Sequence, residues 1–252
     1  MLLVPLLALC LPLAAATQLT VAADFVTPPL DFVRGRKEVG CEVDWIKAVA
    51  QQMQCEVTFV RAPSDQCMTL LQEGKCDLVM GSITDAWEGV TLTEPFLRAK
   101  LVILTDKIKR PHILNVDDLH AARVGVLAKS VEMAWAQRMQ QEGKIKDIVI
   151  YAANDRLNPF ADLTIGDIDA WVVLDVIGKY LKFACGELSM FPIPTCEWGI
   201  CFAVAEKQHL LRDEFNRAQQ TLMAKGIDRE IIKKWFVTTE CAVVQTAPSS
   251  TH

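Results

Sequence analysis

Two stretches about ninety positions apart share one pattern, and that pattern restricts what this chain can become. The first is Leu71-Gln72-Glu73-Gly74-Lys75-Cys76-Asp77, running into Leu78-Val79-Met80. The second is Leu163-Thr164-Ile165-Gly166-Asp167-Ile168-Asp169, running into Ala170-Trp171-Val172-Val173. Both read Leu-x-x-Gly-x-x-Asp before an apolar run. The glycine suits the residue just past a helix, where the backbone turns left-handed and a Cβ is costly. An apolar run without alternation suits a strand covered on both faces, as in a parallel sheet flanked by helices. Such a unit, repeated once at domain spacing, implies two similar α/β lobes with a cleft between them for a small molecule.

Length and charge narrow the reading further. A chain of 252 residues, 51% apolar and 23% charged, can build two lobes of roughly 100 residues each. The net charge of -5 and the absence of a basic stripe argue against a nucleic-acid partner. Residues 1–16 read as a signal peptide. Leu2 to Ala15 is uncharged and apolar, Ala14-Ala15-Ala16 offers small side chains for cleavage before Thr17, and the segment is shorter than the roughly 20 residues of a membrane span. The usual basic start of such a signal is missing. The mature chain is expected to be periplasmic or secreted. Cys10 leaves with the signal, and the eight remaining cysteines favour disulfides over metal in an exported chain. No pair has C-x-x-C spacing, and neither a metal nor a cofactor is called for. A helix over 42–53 separates Cys41 from Cys55 by roughly 20 Å, against about 7 Å for a disulfide, so that pair is excluded.

Periodicity lays out the elements. Leu19 to Ala23 is a strand ending at Asp24, and Pro28-Pro29 breaks the chain into a loop. A helix over 42–53 buries Val43, Ile46, Val49, Ala50 and Met53 on one face. A strand follows at Glu56 to Val60, then a short helix through Leu71 capped by Ser64 or Asp65, then a strand at Cys76 to Met80. Phe96 to Thr105 carries the chain out of the first lobe. The second holds a capped turn at Asn115 to Leu119, strands at Arg123 to Leu127 and Asp147 to Tyr151, a helix over 131–141 and the repeated motif. Trp198 to Val204 reads as a return crossing. Two helices then close the chain, the first stopped by Gly226 and the second capped by Asp228. The expected organisation is a discontinuous first lobe of residues 17–99 and 204–241, a second lobe of 100–203 with the hinge strands, and a disordered tail at 242–252.

The order Leu19-Thr20-Val21-Ala22-Ala23-Asp24, Pro28-Pro29, Gly40-Cys41-Glu42-Val43-Asp44, Asp117-Asp118-Leu119, Gly125-Val126, Gly166-Asp167-Ile168-Asp169-Ala170 and Lys234-Trp235-Phe236 resembles the extracellular solute-binding proteins of the polar-amino-acid type, family 3. The resemblance implies a two-lobed type II periplasmic-binding-protein fold, two crossing hinge strands and closure around a ligand. It also implies a monomer that hands a small polar solute to the membrane permease of an ABC-type importer. The family's ligand anchors are displaced here. An arginine three residues after a threonine usually grips the α-carboxylate, but Thr84 is followed at that spacing by Trp87. The aspartate that grips the α-amine falls at Leu174, with Asp175 one position late. Thr27 and Leu30 replace the aromatic lid. A standard α-amino acid is therefore not the expected ligand. By position in the family pattern, the candidate ligand-binding residues are Asp24, Ser82, Thr84, Trp87, Lys129, Ser130 and Asp175. No catalytic residue is assigned.

Two further resemblances supply alternatives. Cys76-Asp77-Leu78-Val79-Met80-Gly81 and Thr93-Glu94-Pro95-Phe96-Leu97-Arg98 look like the periplasmic accessory proteins of quinoprotein methanol dehydrogenases, which would make a periplasmic dehydrogenase the partner. Cyclohexadienyl dehydratases look like the same fold and would draw an acid from Asp24, Glu42 or Asp175. Glutamate-receptor ligand-binding cores, which look like distant relatives, imply by that resemblance a disulfide between Cys185 and Cys241, with Cys196 the rival partner for either. The other pairings stay open.

Overall fold

Both copies of the repeated motif end a helix and open a strand through the same bonds. The structure, a computed structural model, describes residues 17–236 except 87, 154, 156, 157, 195 and 196. Gly74 takes φ 71° and Gly166 φ 97°, the left-handed backbone that glycine enters without strain. After Gly74, the Asp77 N–H donates to the Thr20 carbonyl at 2.8 Å, and Asp77 Oδ2 accepts from the Thr20 N–H at 2.8 Å. After Gly166, the Asp169 N–H donates to the Arg123 carbonyl at 2.9 Å, and Asp169 Oδ2 accepts from the Arg123 N–H at 2.8 Å. Each aspartate thus clamps a neighbouring parallel strand and sets its register. Val21 lies opposite Leu78, and Val124 opposite Ala170.

The chain starts with β1 (Thr17–Ala23) and a small antiparallel sheet of β2 (Val26–Thr27), β3 (Asp31–Arg34) and β4 (Lys37–Val39). Next come α1 (Cys41–Gln52), β5 (Cys55–Arg61), α2 (Ser64–Gln72), β6 (Leu78–Ile83), β7 (Val90–Leu92) and β8 (Leu97–Ala99). Lys100 alone separates β8 from β9 (Leu101–Asp106). A 3₁₀ turn at Val116–Leu119, boxed by Asn115 and Asp118, leads to β10 (Arg123–Leu127), α3 (Val131–Gln141), β11 (Asp147–Tyr151), α4 (Asn158–Ile165), β12 (Ala170–Leu174), α5 (Asp175–Ala184) and β13 (Leu188–Pro192). Then β14 (Trp198–Ala205) returns, followed by α6 (His209–Ala224) and α7 (Ile227–Phe236).

Two large sheets result. The first runs β5-β1-β6-β14-β7, with β8 on the leading end of β14; the second runs β11-β10-β12-β9-β13. In each, three neighbouring strands are parallel and the rest antiparallel. The two crossings lie side by side, since Trp198 pairs with Ala99 and Ile200 with Leu97. Along β14, residues 198–200 pair with β8, and residues 201–205 pair with β6 and β7.

Aromatic packing joins distant segments of the first lobe. Trp45 stacks on Phe96 at 5.9 Å, Phe96 on Phe202 at 5.2 Å, and Phe202 meets Phe215 edge-on at 5.5 Å. The ladder ties α1, β14 and α6 into one core. The Trp45 indole N–H donates to Gln219 Oε1 at 2.7 Å, which satisfies two buried polar groups together. The helix α2 departs from expectation at its start. Its N-cap is Pro63, without a side-chain cap, because the Ser64 hydroxyl donates instead to Asp24 Oδ2.

Candidate functional site

Open α/β sheets present ligands at the carboxyl ends of their strands, and both sheets point those ends at one cavity of about 610 Å³. From the first lobe come Asp24 and Thr27 beyond β1, Ser64, Asp65, Cys67 and Met68 in the first turns of α2, and the stretch Val79 to Asp85 at the end of β6. From the second come Leu127 to Glu132 across the β10–α3 turn, Ala153 beyond β11, Leu174 at the end of β12 and Ile177 on α5. The volume lies within the range of small-molecule sites.

Five of the seven sequence-predicted residues meet here: Asp24, Ser82, Thr84, Lys129 and Ser130. Asp24 is half-buried; Oδ2 accepts from the Ser64 hydroxyl, and Oδ1 has only a long contact, 3.4 Å, from the Val26 N–H. Ser82 sits at φ 60°, and its N–H donates to Glu42 Oε1 at 2.9 Å. The Ser82 hydroxyl has no hydrogen-bond partner among the described residues. Thr84 Oγ1 donates to Asp85 Oδ2 at 3.3 Å. Lys129, at φ 57°, is exposed at the rim. Ser130 caps α3, accepting from the Met133 N–H at 3.1 Å and donating to the Leu127 carbonyl at 2.7 Å.

Trp87 lies outside the described residues, as does Cys241. The structure does not bring Asp175 into the lining. Its Oδ1 accepts from the Lys100 N–H at 3.0 Å, its own N–H donates to the Lys100 carbonyl at 2.7 Å, and its Oδ2 pairs with Lys179 Nζ at 2.5 Å. The first helical residue of α5 is thereby a clasp on the crossing strand. Cys185 ends α5, half-buried and without a disulfide to a described cysteine.

The lining also holds four residues outside the candidate ligand-binding set: Asp65, Cys67, Asp85 and Glu132. Burial, with Asp24 nearby, pushes the Cys67 thiol up to about 12, so it stays neutral and is no nucleophile at physiological pH. Glu132 is 4% exposed, and no hydrogen bond or ion pair joins it to a described residue. In sequence, nothing separates it from an ordinary acidic residue in a helix's first turn. Among the described residues no three His, Cys, Asp or Glu side chains converge to hold a metal ion.

The family described as Bacterial extracellular solute-binding proteins, family 3, matches residues 19–238. The histidine-binding periplasmic protein of Escherichia coli (strain K12) is 26% identical over 211 residues, covering 79% of each chain. An ancestral arginine-binding protein bound to arginine superposes with a TM-score of 0.76 at 24% identity, over 87% of this chain and 98% of that one. AncCDT-1, an ancestral amino acid-binding protein and precursor of cyclohexadienyl dehydratase, gives 0.75 at 23% identity, over 87% and 95%. At those identities the two structures speak for the fold, the two-lobed type II periplasmic-binding-protein architecture.

Proposed function

We propose that this chain, which belongs to the bacterial extracellular solute-binding proteins of family 3, captures a small polar solute between its lobes for an ABC-type importer, and that this solute is not a standard α-amino acid. The observation behind the exclusion is the lack of an arginine among the described residues lining the cavity. A ligand carboxylate is held best by the two-pronged guanidinium fork. Arg98, the first arginine after Thr84, is exposed on β8. On the amine side, Leu174 offers no charge and Asp175 is engaged by Lys100 and Lys179.

Closure follows from two walls on two lobes. A solute that touches both stabilises the closed arrangement by its differential contacts, with the paired strands β8 and β14 as the pivot. Export to the periplasm fits the relative's name, and no helix among the described residues is long and apolar enough to cross a membrane. The proposed signal at residues 1–16 lies outside the described residues. The dehydratase-like alternative loses support because, of Asp24, Glu42 and Asp175, only Asp24 lines the cavity. No relative named above is a dehydrogenase accessory protein.

One observation favours a second reading, a basic amino acid. Lys129 and the first turn of α3 stand together in the second wall, and a helix N-terminus attracts a carboxylate. Calorimetry across the twenty amino acids separates the two. The expected result is no Kd tighter than about 100 µM, about 5.5 kcal/mol. A low-micromolar standard amino acid would overturn the exclusion and give Lys129 the carboxylate.

A further inference from the structure

Resting on the solute-binding reading, we infer that the cleft selects an organic cation without a carboxylate, of the aliphatic diamine or guanidino-alkylamine class. The described lining carries four acids, Asp24, Asp65, Asp85 and Glu132, against one base, Lys129. Glu132 is the decisive member. A carboxylate this deep is normally paired, because stripping water from an ion without a counter-charge is costly. Glu132 has no such partner among the described residues, so the counter-charge is left for the ligand to bring.

Asp24 provides the second pole on the opposite lobe. Its Oδ2 is committed to Ser64, while Oδ1 holds only the long contact to the Val26 N–H. A cation there bridges to the first lobe as one at Glu132 bridges to the second. The same lining includes apolar Met80, Leu127, Val131 and Ile177, a surface for a methylene chain. Metal is the wrong kind of cation, since the described carboxylates are not gathered around one point. Separate charges suit separate carboxylates.

The same geometry disfavours a carboxylate on the ligand. Lys129 is exposed at the rim, and the positive potential of the α3 N-terminus is already offset by Glu132 in its first turn. A ligand carboxylate placed there meets Glu132 as a like charge.

The test uses the full mature chain and matched pairs that differ by one carboxylate: agmatine with L-arginine, cadaverine with L-lysine, putrescine with L-ornithine. Calorimetry at pH 7 is expected to show at least one amine binding at least about tenfold tighter than its amino acid. Glu132→Gln, with its fold checked by thermal melting, is expected to weaken that amine at least about tenfold, and the parent-chain comparison does not depend on this variant. If the amino acid of each pair binds tighter, the inference fails while the solute-binding reading survives. If no amine, amino acid or small carboxylate binds at all, both fail together.

Discussion

Asp77 and Asp169 occupy the same position of the same motif but have different neighbours, and replacing each by asparagine separates the two contributions. Asp77 accepts from one backbone N–H, that of Thr20, at 2.8 Å. Asp169 accepts from the Arg123 N–H at 2.8 Å, and its carboxylate also receives Arg110 Nε at 2.5 Å and Arg123 Nε at 3.2 Å. Burial raises the Asp169 carboxyl, but the Arg123 side chain and N–H together with Arg110 outweigh it and hold the group down to about 2, against an ordinary 3.8. That difference is on the order of 2 kcal/mol of native stability at neutral pH. For a folded body of this size, about 2–4 °C per kcal/mol turns it into roughly 4–8 °C of melting temperature. Asp77→Asn keeps an acceptor for Thr20 and is expected to cost about 1 kcal/mol or less. The pH window follows from the sign. A carboxyl lowered in the folded state stabilises above its ordinary value, and the contribution drains away as pH falls from about 4 toward 2. Urea melts of the parent, Asp77→Asn and Asp169→Asn at pH 7 and at steps down to the acid transition measure it. The reasoning is refuted if Asp169→Asn costs no more than Asp77→Asn at pH 7, or if its deficit stays constant below pH 4.

Asp175→Ala removes the bond to the Lys100 N–H and the Lys179 ion pair; it is expected to lower stability by about 1–2 kcal/mol and to change solute affinity less than threefold, roughly 0.7 kcal/mol. A hundredfold loss of affinity in calorimetry would restore this residue to the ligand. Gly40→Ala is expected to cost about 3 kcal/mol or more, seen as loss of soluble folded protein, because an added Cβ would lie 2.0 Å from the Leu30 carbonyl oxygen at φ 141°. Ordinary stability in this variant would mean that the α1 entrance yields more readily than its geometry implies. Cys185 and Cys241 are proposed to be bonded, closing a loop worth roughly 4 kcal/mol. Non-reducing peptide mapping that finds Cys185 joined to Cys196, or a free thiol at Cys241, rejects the pairing.

Much of the fold was legible because its marks are local. The strands Arg123 to Leu127 and Asp147 to Tyr151 and the helix over 131–141 coincide with β10, β11 and α3. There a cap residue or an apolar run falls at the element's edge. The sheet of β2, β3 and β4 had no such mark, since β2 has two residues and β3 and β4 fully bury only Asp31. Pairing, not periodicity, makes those strands. The helix α5 was hidden for the opposite reason. Ala170 to Ile177 is apolar apart from Asp175, so β12 runs into α5 without a turn, and sequence offers no boundary between them.

That concealed boundary also explains how the site was read. Position in a family pattern counts residues along a strand, but a side chain's role depends on which element it starts. As the first residue of α5, Asp175 faces Lys100, which alone separates β8 from β9. The Lys100 ammonium in turn lies 3.3 Å from Glu197, one residue before the return strand β14. The carboxylate that spacing nearly assigns to the ligand therefore joins both crossing strands to the helix whose Ile177 lines the cleft. Glu132 shows the converse. Its spacing announces only a well-formed helix start, and its burial beside the cavity gives it a different use. Both are acids in the first turn of a second-lobe helix; what separates them is the presence of a partner, a property of three-dimensional neighbours that no reading along one chain contains.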